Sequence, residues 1–134
     1  MSSFYPHMIL MILVFVLAFT AGIIAKFFRK KNYWLKVHKS INILKTFLSI
    51  FGFYLIFIFV NNIGIKHFST IHGIIGLIAF IFIILQTSFG FISTNKYFSK
   101  FSLSKIVRKI HKNIGIFVLI IITINLILGL IKIF

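Results

Sequence analysis

Residues 70–93 read TIHGIIGLIAFIFIILQTSFGFIS, and no charged residue interrupts the run. It is longer than the ~20 residues a helix needs to cross the hydrocarbon core of a bilayer. Similar apolar runs lie on either side of it, so that spans are expected at about 7–27, 38–62, 70–93 and 108–131. With 60% hydrophobic residues and a mean hydropathy of +1.14, the chain carries far more apolar surface than a soluble core could hide. The segments between the runs are short, which makes consecutive helices antiparallel neighbours. The expected fold is therefore an all-α integral membrane protein, an antiparallel four-helix transmembrane bundle forming one domain over residues 1–134. The first run has no Lys or Arg ahead of it and carries its positive charges afterwards, so it reads as a retained span and not as a signal peptide.

Charge gives the orientation. Lys26, Arg29, Lys30, Lys31, Lys36 and Lys39 surround the first connection, and Lys96, Lys100, Lys105, Arg108, Lys109 and Lys112 surround the third. The opposite face has only Lys66 and Lys132. The positive-inside rule places both basic connections in the cytoplasm and both termini outside. Contact with anionic lipid headgroups accounts for the basic residues without nucleic acid as a partner. The chain has no Asp, Glu or Cys. This removes carboxylate dyads, carboxylate metal ligands, disulfides, thiolate-held clusters and covalent haem attachment, and with them classical hydrolase chemistry.

Histidine remains. His7, His38, His72 and His111 each stand near the start of a different span. Because the helices alternate in direction, His7 and His72 fall at the outer face, and His38 and His111 at the cytoplasmic face. Two imidazoles facing each other across a bundle are the axial ligands of a six-coordinate b-type haem, and the chain offers this arrangement twice. Zinc or copper would want three or four ligands in one cluster, which no thiolate or carboxylate is present to complete. The expected cofactors are two haem b per chain, with His7 and His72 ligating the outer iron and His38 and His111 the cytoplasmic iron. His67 reads as interfacial.

Small and polar residues follow the histidines in phase. Gly90 and Gly129 lie eighteen residues, or five helical turns, past His72 and His111, while Gly52 and Gly22 fall further off the corresponding faces of the first two helices. These glycines are expected to leave room for a flat porphyrin, with Gly76 and Gly115 letting the ring edge approach the backbone. Lys45 lies near the face of His38 but two turns deeper. It either reaches a haem propionate or backbone carbonyls, or snorkels to the surface. Asn42, Gln86 and Asn125 are expected to bridge helices. His72-Gly73-Ile74-Ile75-Gly76 and His111-Lys112-Asn113-Ile114-Gly115 form a weak internal echo.

Across nearly the whole chain these residues resemble the core of the eukaryotic-type cytochrome b561 family. The resemblance rests on His7-Met8-Ile9-Leu10-Met11, Trp34-Leu35-Lys36-Val37-His38 and Ile71-His72-Gly73-Ile74-Ile75-Gly76. It continues through Leu85-Gln86 with Gly90, Arg108-Lys109-Ile110-His111 with Gly115, and Asn125-Leu126-Ile127-Leu128-Gly129. It implies the same ligand pairing, a cytoplasmic donor such as ascorbate, and an outer acceptor such as ferric iron or monodehydroascorbate. It also implies a donor site of basic residues near the cytoplasmic haem, for which Arg29, Lys30, Lys36 and Arg108 are available. The chain departs from the family's usual pattern in having only the four core helices.

The expected function is transmembrane electron transfer by a minimal four-helix member of that family. The expected partners are the bilayer and a small-molecule electron donor and acceptor, with a homodimer left open. A quinol-linked di-haem oxidoreductase and a haem-free structural membrane subunit are the alternatives. A small transporter is disfavoured because no span is broken by proline. The absence of native cysteine makes the orientation directly testable. A single cysteine at Lys31 should react with a membrane-impermeant thiol reagent only from the cytoplasmic side, and one at Lys66 only from the outer side.

Overall fold

In the computed structural model, residues 4–95, 97 and 103–131 are described. Lys96, Lys100 and Lys132, which contribute to the charge distribution, lie outside them. Four helices run in order, α1 Phe4–Phe27, α2 Trp34–Asn62, α3 Ile71–Ser93 and α4 Leu103–Ile131, with no strand among the described residues. All four are long and apolar enough to cross a membrane. α2 starts four residues before the expected span and α4 five residues before. Their first turns carry Lys36 and Lys39, and Lys105, Arg108 and Lys109, so hydropathy ends where the hydrocarbon ends while the helix continues into the headgroup layer. α3 starts at its cap: Thr70 has extended backbone angles, and its hydroxyl accepts from the Gly73 N–H at 3.1 Å. Before it, the α2–α3 connection turns at Gly64, whose φ of 68° suits a residue without a Cβ.

α1 packs chiefly on α2, and α3 on α4, giving two antiparallel hairpins that meet along thinner α2–α3 and α1–α4 contacts. Large apolar side chains such as Phe19, Phe47, Ile81 and Ile120 point outward, the arrangement a lipid-facing surface requires. The apolar centre is made by Val14, Ala18, Ala79, Ile83, Val118 and Ile122.

The buried positions fall in one register shared by the four helices. Seven residues past each helix's histidine stand Val14, Lys45, Ala79 and Val118, and eleven past stand Ala18, Ser49, Ile83 and Ile122; all eight are buried. Offsets of seven and eleven residues are close to two and three helical turns, so each helix presents a single inward stripe with its histidine at the top. Three of the four residues in the +7 layer are apolar, and the fourth is a lysine. Ile83 is closed in on the +11 stripe. Ile83→Ala should lower unfolding stability in detergent by about 2–5 kcal/mol, while Ile81→Ala, on the lipid face, should leave it nearly unchanged.

Candidate functional site

A histidine inside a bundle has to find an acceptor for its ring N–H, and in lipid no water supplies one. Each of the four histidines finds it on the helix paired with its own. His7 Nδ1 lies 2.8 Å from the Gly52 carbonyl oxygen, and His38 Nδ1 lies 3.1 Å from that of Ala21. His72 Nδ1 lies 3.0 Å from the Asn125 carbonyl, and His111 Nδ1 lies 2.9 Å from that of Gln86. A carbonyl oxygen only accepts, so Nδ1 carries the hydrogen in all four rings and the lone pair sits on Nε2. This is the second-layer bond by which metal-binding histidines are held in one tautomer and one orientation.

The four acceptors share one more offset, since Ala21, Gly52, Gln86 and Asn125 each lie fourteen residues past their own helix's histidine. In each hairpin the histidine of one helix therefore donates to the +14 carbonyl of the other, reciprocally. Fourteen residues rise about 21 Å, which separates the two histidine layers by about that distance along the bundle.

At the basic end the structure brings His38 and His111 together, with ring centroids 6.2 Å apart and planes at 84°. Two imidazoles coordinating one metal through Nε2 at about 2 Å put their centroids about 6 Å apart, so this pair fits a shared iron. Asn42 Nδ2 stands 3.3 Å from His38 Nε2, while its shorter bond, 2.8 Å, goes to the His38 carbonyl. At the other end His7 and His72 line one cavity of about 450 Å³, together with Met11, Phe53, Gly76 and Asn125. Among the described residues no group of three or more metal-ligating side chains occurs.

The glycines face side chains of the neighbouring helix, and Gly76 and Gly129 also line the His7–His72 cavity. A Cβ on Gly129 would stand 3.0 Å from His72 Cε1, and one on Gly90 would stand 3.0 Å from His111 Cε1. A helical carbonyl points toward the residue four further on, so in α3 and α4 a ring bonded to the +14 carbonyl lies over a glycine at +18. Their fivefold-turn spacing thus makes room for the neighbour's imidazole. Gly76 and Gly115 likewise face the side-chain amides of Asn125 and Gln86, each Nδ2 or Nε2 3.0 Å from the position of an added Cβ.

Lys45 is 1% exposed and does not snorkel; its Nζ donates to Asn42 Oδ1 at 2.8 Å and Gln86 Oε1 at 2.6 Å. Gln86 thereby bridges α3 to α2 as expected. Asn42 bonds within its own helix, and Asn125 Oδ1 is buried without a hydrogen-bond partner. Arg29, Lys30, Lys36 and Arg108 are all exposed at the His38–His111 end. Arg29 lies over the Trp34 ring, and Arg108 donates to Ser104 Oγ at 3.2 Å. His67 stacks on Phe57 at 4.2 Å and bonds Asn61 Oδ1 through Nε2, the opposite nitrogen from the other four. It also lies on the wall of the His7–His72 cavity. The carbonyl acceptors escaped sequence reasoning, although the +14 offset common to all four helices marks them.

The family model for eukaryotic cytochrome b561 matches residues 6–134. No curated protein matches the chain, and no solved structure does.

A valine at Gly90 should displace the His111 ring, and one at Gly129 the His72 ring. With 15N-labelled histidine, each variant should lose the hydrogen-bonded Nδ1–H resonance of that one residue, with a stability loss of about 1–3 kcal/mol for overpacking.

Proposed function

The chain belongs to the eukaryotic cytochrome b561 family, whose members bind b-type haem and carry electrons across membranes, and on that premise we propose that it is a di-haem electron conduit. His38 and His111 hold one haem at the basic, cytoplasmic end, and His7 and His72 hold the other at the outer end. The observation that carries this reading is the set of four Nδ1–H bonds to carbonyls, which leaves the lone pair of each ring on Nε2 in two layers of the bundle.

A bound haem supplies the one-electron couple of its iron. The chain supplies the rest. The carbonyl bonds raise the basicity of the imidazoles and fix their planes. The apolar stripe between the layers excludes water, and the fourteen-residue offset sets the layers about 21 Å apart. Arg29, Lys30, Lys36 and Arg108 surround the cytoplasmic mouth with positive charge, which suits an anionic reductant such as ascorbate. The outer acceptor is an oxidant such as ferric iron or monodehydroascorbate. The chain contains no carboxylate that could relay protons through the bundle, so the transfer is of electrons without pumping.

A pyridine haemochrome assay on purified protein should give two b haems per chain, both reducible by ascorbate. His38→Ala or His111→Ala should remove mainly the cytoplasmic haem, and His7→Ala or His72→Ala mainly the outer one, while His67→Ala keeps both. Equal retention of both haems in all four ligand variants would overturn the assignment.

A further inference from the structure

Lys45 occupies a core position that is apolar in every other helix. Its counterparts seven residues past a histidine are Val14, Ala79 and Val118. Packing alone does not call for a cation there, and burying one in a bilayer is costly. Its two acceptors, Asn42 Oδ1 and Gln86 Oε1, are uncharged, and the chain contains no Asp or Glu to neutralise it. Their distances of 2.8 and 2.6 Å are those of charge-assisted bonds.

Both acceptors connect to the basic-end histidines. Asn42 stands one turn past His38 and touches it, and the Gln86 backbone carbonyl accepts the His111 Nδ1–H. The other end has the same plan without the cation. In the repeat shared by α3 and α4, Asn125 takes the place of Gln86, and in that shared by α1 and α2, Val14 takes the place of Lys45. Asn125 Oδ1 is accordingly left buried with no donor. The two ends match in histidines and in carbonyl acceptors, and differ where Met11 and Val14 of α1 stand against Asn42 and Lys45 of α2; of these four only Lys45 is a cation.

Resting on the di-haem reading above, we infer that Lys45 is a fixed charge that raises the reduction potential of the His38–His111 haem above that of the His7–His72 haem. An electron taken from the reductant lowers the charge at the basic end by one unit, and a neighbouring ammonium favours that state. The electron leaves to the oxidant at the other end; Lys45 itself exchanges neither electron nor proton. Attraction over about 10 Å, the rise of seven residues, at an effective dielectric of ~20 favours the reduced state at least tenfold. A tenfold change is about 59 mV for one electron. Lys45 thus makes the cytoplasmic haem the preferred resting place of the first electron.

Redox titration of the purified holoprotein tests this, with the two haem components assigned from His38→Ala and His7→Ala. K45M should shift the His38–His111 component to lower potential by about tenfold in the reduction equilibrium and the other component by much less, while K45R stays at the wild-type value. Q86E places a carboxylate against the ammonium and should shift the same component in the same direction, which keeps the test decisive if K45M does not assemble. Unchanged potentials, or equal shifts in both components, would overturn the inference. Wild-type protein lacking two b haems would instead overturn the parent reading before Lys45 is altered.

Discussion

The bond on which the rest of the bundle depends runs from an imidazole Nδ1–H on one helix to a backbone carbonyl on its antiparallel neighbour. That carbonyl already accepts within its own helix, but its oxygen has a second lone pair, so the helix loses nothing by the extra bond. Because the acceptor is backbone, no side chain has to be spent on it, and Ala21 and Gly52 serve as well as Gln86 and Asn125. The bond fixes three things together, the tautomer, the ring plane and the vertical register of each hairpin, and in α3 and α4 it also sets the residue four positions beyond the acceptor. There that residue is glycine, seated under the neighbour's ring.

A chain without carboxylates has few ways to place charge in a membrane, and the structure uses one. Apart from the imidazoles, polar groups near the axis are otherwise neutral amides and hydroxyls, some of which satisfy one another, as Thr46 and Thr87 do across α2 and α3 at 2.7 Å. Against that neutral background a single ammonium dominates the local field, since inside a bilayer neither water nor salt screens it.

The helix count, the lipid-facing surface and the family were legible in the sequence because each rests on long apolar runs or on motifs spread along the chain. The meeting of His38 with His111 was legible too, since alternating helix direction leaves each end only two candidates. What hydropathy could not give was the helix starts, where Lys36, Lys39 and Lys105 continue a helix beyond the hydrocarbon. Helical phase showed that Gly90 and Gly129 share a face with His72 and His111, but phase says nothing of what a neighbour sets in front of that face, which is an imidazole. Nor does phase show the amides of Asn125 and Gln86 that stand in front of Gly76 and Gly115. Lys45 stood on the right face for an interior role, but only the lengths and directions of Asn42 and Gln86 decide that its ammonium stays inside.

Each hairpin is tightly packed within itself and carries one histidine for each end, while the seam between hairpins is thin and holds a cavity of about 450 Å³. Each pair of facing histidines therefore straddles the seam. Biogenesis follows from this geometry: each hairpin can insert and zip on its own, and the two then dock through the shared apolar centre and the Lys45–Gln86 and Thr46–Thr87 bonds.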